Sequence, residues 1–117
     1  MPVPPSAWYV HMCKVYVLSK KLGDEATTTT ILTRLSSLSR KFQIARTRPC
    51  HHAVQVIYHG TSSGDEMRML LLKAYTDRGE ADSFVHNYFA GSVAAEFPPE
   101  FLLDLCKIKI LSFLKEF

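Results

Sequence analysis

The chain has 117 residues, 47% of them hydrophobic and 21% charged, with a formal net charge of +3. That length points to one domain over 1–117, large enough to bury a core without metals or disulfides, and the composition excludes long disorder beyond a Pro-rich start expected to be flexible over residues 1–6. The net charge is a weak guide to partners, because residues 1–52 hold eight Lys/Arg against Asp24 and Glu25 whereas residues 53–117 hold six against nine acids.

Trp8 to Leu18 (WYVHMCKVYVL) is rich in aromatic and β-branched residues and predicts a strand covered in part on both faces. Lys20 to Asp24 breaks it. Asp24 or one of Thr27–Thr30 is placed to cap a helix, since a side-chain oxygen there accepts an orphan backbone N–H. Ile31, Leu35, Leu38 and Phe42 then recur at helical spacing, with Arg34, Ser37, Arg40 and Lys41 off that face. The threonine run is a poor helix former, so a late start is expected. Pro49 ends this segment.

Ala53–Tyr58 and Met67–Tyr75 predict two further strands, joined by the polar, Gly/Ser-rich loop from His59 to Glu66 as a hairpin. Asp77-Arg78-Gly79 leads out of the sheet. Glu80 to Phe97 predicts a helix with Phe84, Val85, Tyr88, Phe89 and Val93 on one side, weakened by Gly91 and stopped at Pro98. Pro99 at a first helical position and Glu100 in a first turn suit the start of a last helix. The expected fold is α+β and two-layered, in the order β-α-β-β-α-α. A three-stranded, mainly antiparallel sheet would carry helices on one face and leave edges free for pairing with a second chain.

Several patterns invite chemistry. His11-x-Cys13 and Cys50-His51-His52 would converge as zinc ligands if their strands were neighbours. Adjacent strand residues point to opposite faces, however, and no Cys-x2-Cys or His-x3-His spacing is present, so no metal is expected. His59-Gly60-Thr61-Ser62-Ser63-Gly64 lacks the lysine of a phosphate loop and reads as a solvated turn. No Gly-x-Ser-x-Gly elbow or His-Glu-x-x-His occurs, and the acids are scattered. No catalytic residue, cofactor or small-molecule substrate is expected.

Arg34 to Arg48 (RLSSLSRKFQIARTR) holds five positive charges and no acid. Arg34, Arg40, Lys41, Arg46 and Arg48 are therefore candidates for phosphate contacts in RNA, although the aromatic interleaving of single-strand binders is missing. Ser36, Ser37, Ser39 and Thr47 lie among these arginines, a setting suited to basic-directed kinases, and the sequence does not decide whether they are phosphorylated.

The final stretch, Phe101 to Phe117, is apolar at eleven of its seventeen positions, and these do not fall on one stripe. A helix resting on one core needs only part of its circumference apolar. Within it, Leu102-x3-Cys106-x3-Ile110 is similar to the core of the BC-box through which ubiquitin-ligase substrate receptors grip elongin C. Phe101 stands where that family usually has a small residue, and a packed helix is the simpler reading of three such positions. The surplus points to a non-enzymatic interaction or scaffold subunit, with Trp8, Leu103, Ile110, Phe113, Leu114 and Phe117 at its protein interface. A homodimer fits as well as a heteromeric complex, and an RNA-binding module is the alternative. Absence of an apolar run of ~20 residues argues against membrane insertion. Absence of a basic-then-apolar leader, with three dispersed cysteines (Cys13, Cys50 and Cys106), points to the cytoplasm or nucleus.

Overall fold

In a computed structural model, residues 4–45, 48–76 and 96–115 are described, the side chains at 43–45, 109, 112 and 113 excepted. Every regular element of any length among them is a helix: α1 Ser6–Leu22, α2 Glu25–Ser37, α3 Ser39–Ala45, α4 His51–Gly60, α5 Glu66–Thr76 and α6 Pro99–Lys115. The α+β expectation is overturned. All three expected strands are helices, no sheet exists among the described residues, and dimerisation by sheet extension is withdrawn.

The burial pattern explains the error. In α1 the buried residues are Tyr9, Cys13, Tyr16 and Ser19, spaced four, three and three. In α4 they are Ala53, Val54, Ile57 and Tyr58, and in α5 Met67, Arg68, Leu71, Leu72 and Tyr75. These are helical intervals. Aromatic and β-branched residues favour strands mainly because they fit a half-buried surface, and a helix packed into a core offers the same environment.

Local chemistry closes the helix ends. Gly23 ends α1 in the left-handed conformation (φ 73°), with its N–H donating to Lys20 O and the Asp24 N–H donating to Ser19 O. That paired arrangement is a Schellman motif, which glycine enters without a Cβ penalty. Asp24 caps α2, accepting from Thr27 N at 3.1 Å and from Thr27 Oγ1 at 2.6 Å, so one of the two expected cap positions is realised. The helix nevertheless begins before the threonines, whose hydroxyls at Thr28 and Thr30 bond back to Asp24 O and Ala26 O. Ile31, Leu35 and Phe42 are buried on the expected face, but a break at Leu38 divides the segment into α2 and α3. Pro99 and Glu100 open α6 as expected. The helix expected from Glu80 to Phe97 falls largely at 77–95, outside the described residues.

α1 lies against α2 and α4, α5 against α2, α3 and α4, and α6 against α4 and α5. The centre is filled by Tyr16, Leu35, Ile57, Leu71, Phe101 and Leu105, all essentially without solvent contact. At the end of α4 the chains approach so closely that a Cβ on Gly60 would overlap the Val17 side chain of α1.

Two buried polar groups tie the helices together. Asp65, just before α5, accepts from Tyr16 Oη at 2.8 Å, from Lys20 Nζ at 2.8 Å and from Met67 N at 2.9 Å. Burial acts to raise its carboxyl pKa, but the hydrogen bonds from Lys20, Met67 and Tyr16, with the Lys20 charge, together outweigh burial and hold it below its ordinary value. Arg68 donates from Nε to Thr61 Oγ1 at 2.9 Å, from Nη2 to Tyr58 O at 3.0 Å and to Thr61 O, and from Nη1 to Glu100 at 2.9 Å. Its guanidinium also lies 4.3 Å from the centre of the Tyr58 ring. A cation at the C-terminus of α4 satisfies carbonyls that the helix itself leaves open and complements its dipole.

Candidate functional site

The site is α6, and its placement starts at its first turn. Pro98 O accepts from Phe101 N at 3.0 Å and from Leu102 N at 3.3 Å, while Pro99 occupies a position where a missing N–H costs nothing. Phe101 is anchored in an aromatic cluster: ring centres lie 5.2 Å away at Tyr75 and 5.4 Å away at both Tyr58 and Phe97. The first two contacts are edge-to-face and the third is stacked, geometries that ring quadrupoles favour. On the flanks, Glu100 pairs with Arg68 and Asp104 accepts from Tyr58 Oη at 2.8 Å. Burial pushes the Tyr58 hydroxyl pKa well above its ordinary value, and the Asp104 hydrogen bond adds to this, so it remains a donor.

Phe101, Leu102 and Leu105 face the core and Ile108 is half-buried against it. A helix turns 100° per residue, so the opposite side carries Leu103, Ile110 and Leu114, at i, i+7 and i+11, with Leu111 beside them. These four are 59%, 57%, 60% and 59% exposed respectively. The exposed Lys107 sits between Leu103 and Ile110 on that face. Half-buried Ile108 also lines an open groove shared with Leu32 of α2, Leu70 of α5 and the exposed Met69. α6 thus has one apolar face in the core and another in solvent.

Of the interface residues expected from sequence, Leu103, Ile110 and Leu114 are brought together on this face. Trp8 is not: it is half-buried against the core at the start of α1. Phe113 lies on α6 with its side chain outside the description, and Phe117 is outside the described residues. Leu111 and Met69 were missed. The Leu103–Leu111 interval of eight would have identified the former, and no sequence signal separates Met69 from the buried Met67 beside it. The BC-box-like triplet is split by burial: Leu102 is in the core, Cys106 half-buried and Ile110 exposed. No single free surface presents all three.

The basic residues are spread over two helices and the segment that follows them. Arg34 is exposed on α2 and Arg40 on α3, Lys41 is half-buried, and the Arg48 guanidinium lies 5.9 Å from the centre of the Tyr75 ring. Arg46 is outside the described residues. The His59 to Gly64 stretch ends α4 and forms the loop to α5, so it leads into a helix rather than the expected strand.

The two His/Cys segments do adjoin, on α1 and α4 rather than on strands. His11, Lys14, Cys50 and His52 line one groove, and the His51 and His52 rings lie 4.2 Å apart. Among the described residues no three His, Cys, Asp or Glu side chains come together as a metal set. Cys13 is buried, and burial, with Cys50 nearby, pushes its thiol pKa up to about 12, so it carries its proton near neutral pH. All three cysteines are free thiols. No helix among the described residues is long and apolar enough to cross a membrane. Comparison with protein-family models, curated proteins and solved structures gives no match.

Proposed function

We propose that the protein is a non-enzymatic interaction subunit that docks a protein partner on the outer face of α6, in the cytoplasm or nucleus. The observation that carries this reading is the exposure of Leu103, Ile110, Leu111 and Leu114 on the side of a helix whose other side is core. Single exposed leucines are ordinary, whereas a group on one helix face is the pattern of a partner surface. Fully burying a large aliphatic side chain contributes about 1.5–3 kcal/mol. These four therefore leave several kcal/mol of burial available to a partner. Their spacing is also that of helix-in-groove recognition, in which anchors recur every three, four or seven residues. The free thiols favour a reducing compartment.

The test is affinity purification of wild type and of Ile110→Lys/Leu114→Glu from extract prepared in parallel with and without nuclease, with circular dichroism confirming equal helicity. The reading expects a defined protein set on wild type that is lost from the folded double variant. Equal recovery on both would overturn it. Binding partners that vanish only on nuclease treatment would transfer the function to the basic residues.

A further inference from the structure

We infer that Ser37, the last residue of α2, is an acceptor for phosphoryl transfer from ATP by a basic-directed serine kinase. Its place in the fold separates it from the three other hydroxyls set among the arginines.

Those others are Ser36, Ser39 and Thr47. Thr47 falls outside the described residues. Ser36 and Ser39 line the groove that α2 and α3 share with α5, where Glu66 and Lys73 also lie. A phosphate on either would enter a groove that already holds a carboxylate. Ser37 is exposed and does not line that groove.

Arg34 supplies the second distinction. It is exposed on α2, three residues before Ser37. A guanidinium at a fixed interval from the acceptor is what an acidic substrate cleft reads, because its planar fork pairs with a carboxylate through two hydrogen bonds. Thr33, Ser36 and Ile44 occupy the same interval before Ser36, Ser39 and Thr47, so only Ser37 has a cation there.

Ser37 also stands where the helical structure is already broken. α2 ends on it, Leu38 belongs to neither helix, and α3 begins at Ser39. The Leu38 N–H donates to Leu35 O at 3.2 Å, the tightened bond of a closing turn. α3 has seven residues, whereas isolated helices shorter than ~12–15 are marginal in water. An acceptor must leave its helix to enter an enzyme cleft, and segments held by few hydrogen bonds open most readily. The Ser37 hydroxyl donates to Arg34 O at 2.7 Å, an exposed bond that water replaces on opening.

The transfer joins Ser37 Oγ to the γ-phosphorus of ATP, breaks the bond from that phosphorus to ADP, and passes the hydroxyl proton to the catalytic carboxylate of the kinase. The product carries a charge of about −1.5 to −2. It falls within residues 26–64, a stretch that holds Arg34, Arg40, Lys41, Arg46 and Arg48 and no Asp or Glu. The phosphate therefore offsets much of the positive charge around the α2–α3 junction.

The test uses the folded full chain. With ATP and a kinase selective for arginine three residues before its acceptor, the chain should take up one phosphate, mapped to Ser37 by peptide fragmentation and absent from Ser37→Ala. Arg34→Gln should slow uptake by about 10-fold or more, the weight of one charge-assisted pair, whereas Arg40→Gln should leave the rate near wild type. Circular dichroism confirms that each variant keeps its helicity. Protein purified from cells under phosphatase inhibition should carry the same phosphate. The inference is overturned if the folded chain takes up none, if the phosphate maps to Ser36, Ser39 or Thr47, if uptake is indifferent to Arg34→Gln, or if Ser37 is unmodified in the cellular protein.

Discussion

Asp65 and Arg68 show how single residues fix the positions of whole helices. Asp65 is held below its ordinary pKa in the folded state, so it binds fewer protons than in the unfolded chain as the pH approaches 4. Its contribution is present above the unfolded carboxyl value and is lost as pH falls through the folded value. Stability should accordingly decline below about pH 5, the region where the unfolded carboxyl begins to protonate. Asp65→Asn should be less stable at neutral pH and show a shallower acid decline, measured by urea unfolding across pH 3–7. An unchanged acid slope would mean that other carboxylates set it. Arg68 satisfies two carbonyls of the α4 terminus and bridges to α6. Arg68→Lys keeps the charge but cannot reproduce that planar fork, and should cost about 2 kcal/mol or more in chemical denaturation.

At the scale of elements, contacts between helices decide what propensity leaves open. Gly60 lets α4 approach Val17 of α1, so Gly60→Ala should destabilise by about 1–3 kcal/mol through overpacking. A thermal melt indistinguishable from wild type would show that Val17 can move aside. The two faces of α6 make a sharper contrast. Leu105→Ala removes a buried side chain and should cost about 2–5 kcal/mol, whereas Ile110→Ala should stay within about 0.5 kcal/mol, both read from denaturant midpoints.

This is also the scale at which the sequence was partly legible. The apolar face of α2 and α3, the Asp24 cap and the Pro99 start of α6 could be read because each rests on local spacing or capping chemistry. The surplus apolar residues of α6 were visible as well, and three of the named interface residues share one face. The strands assigned to α1, α4 and α5 were wrong because short apolar segments satisfy both periods. Val54 and Val56 suggest strand chemistry, while burial of Val54 with Ile57 and Tyr58 follows the helix. Trp8 lies apart from that face, half-buried against the core at the start of α1, a placement that becomes visible only once α1 is laid against its neighbours. The Asp65 and Arg68 ties join positions far apart in sequence, such as Tyr16 with Asp65 and Arg68 with Glu100, and no local pattern announces them.

At the scale of the whole molecule, the helices form one packed body in which the aromatic cluster around Phe101 fixes the first half of α6 and leaves its outer face free. Burial therefore divides α6 between stability and association, and the division can be observed residue by residue. Hydroxyl-radical footprinting would compare α6 in the isolated monomer with α6 in the assembly recovered from cells. The account predicts that Leu103, Ile110, Leu111 and Leu114 lose reactivity in the assembly, while Leu18 and Leu22, also exposed but on α1, keep theirs. Undiminished reactivity at those four positions of α6 would contradict it.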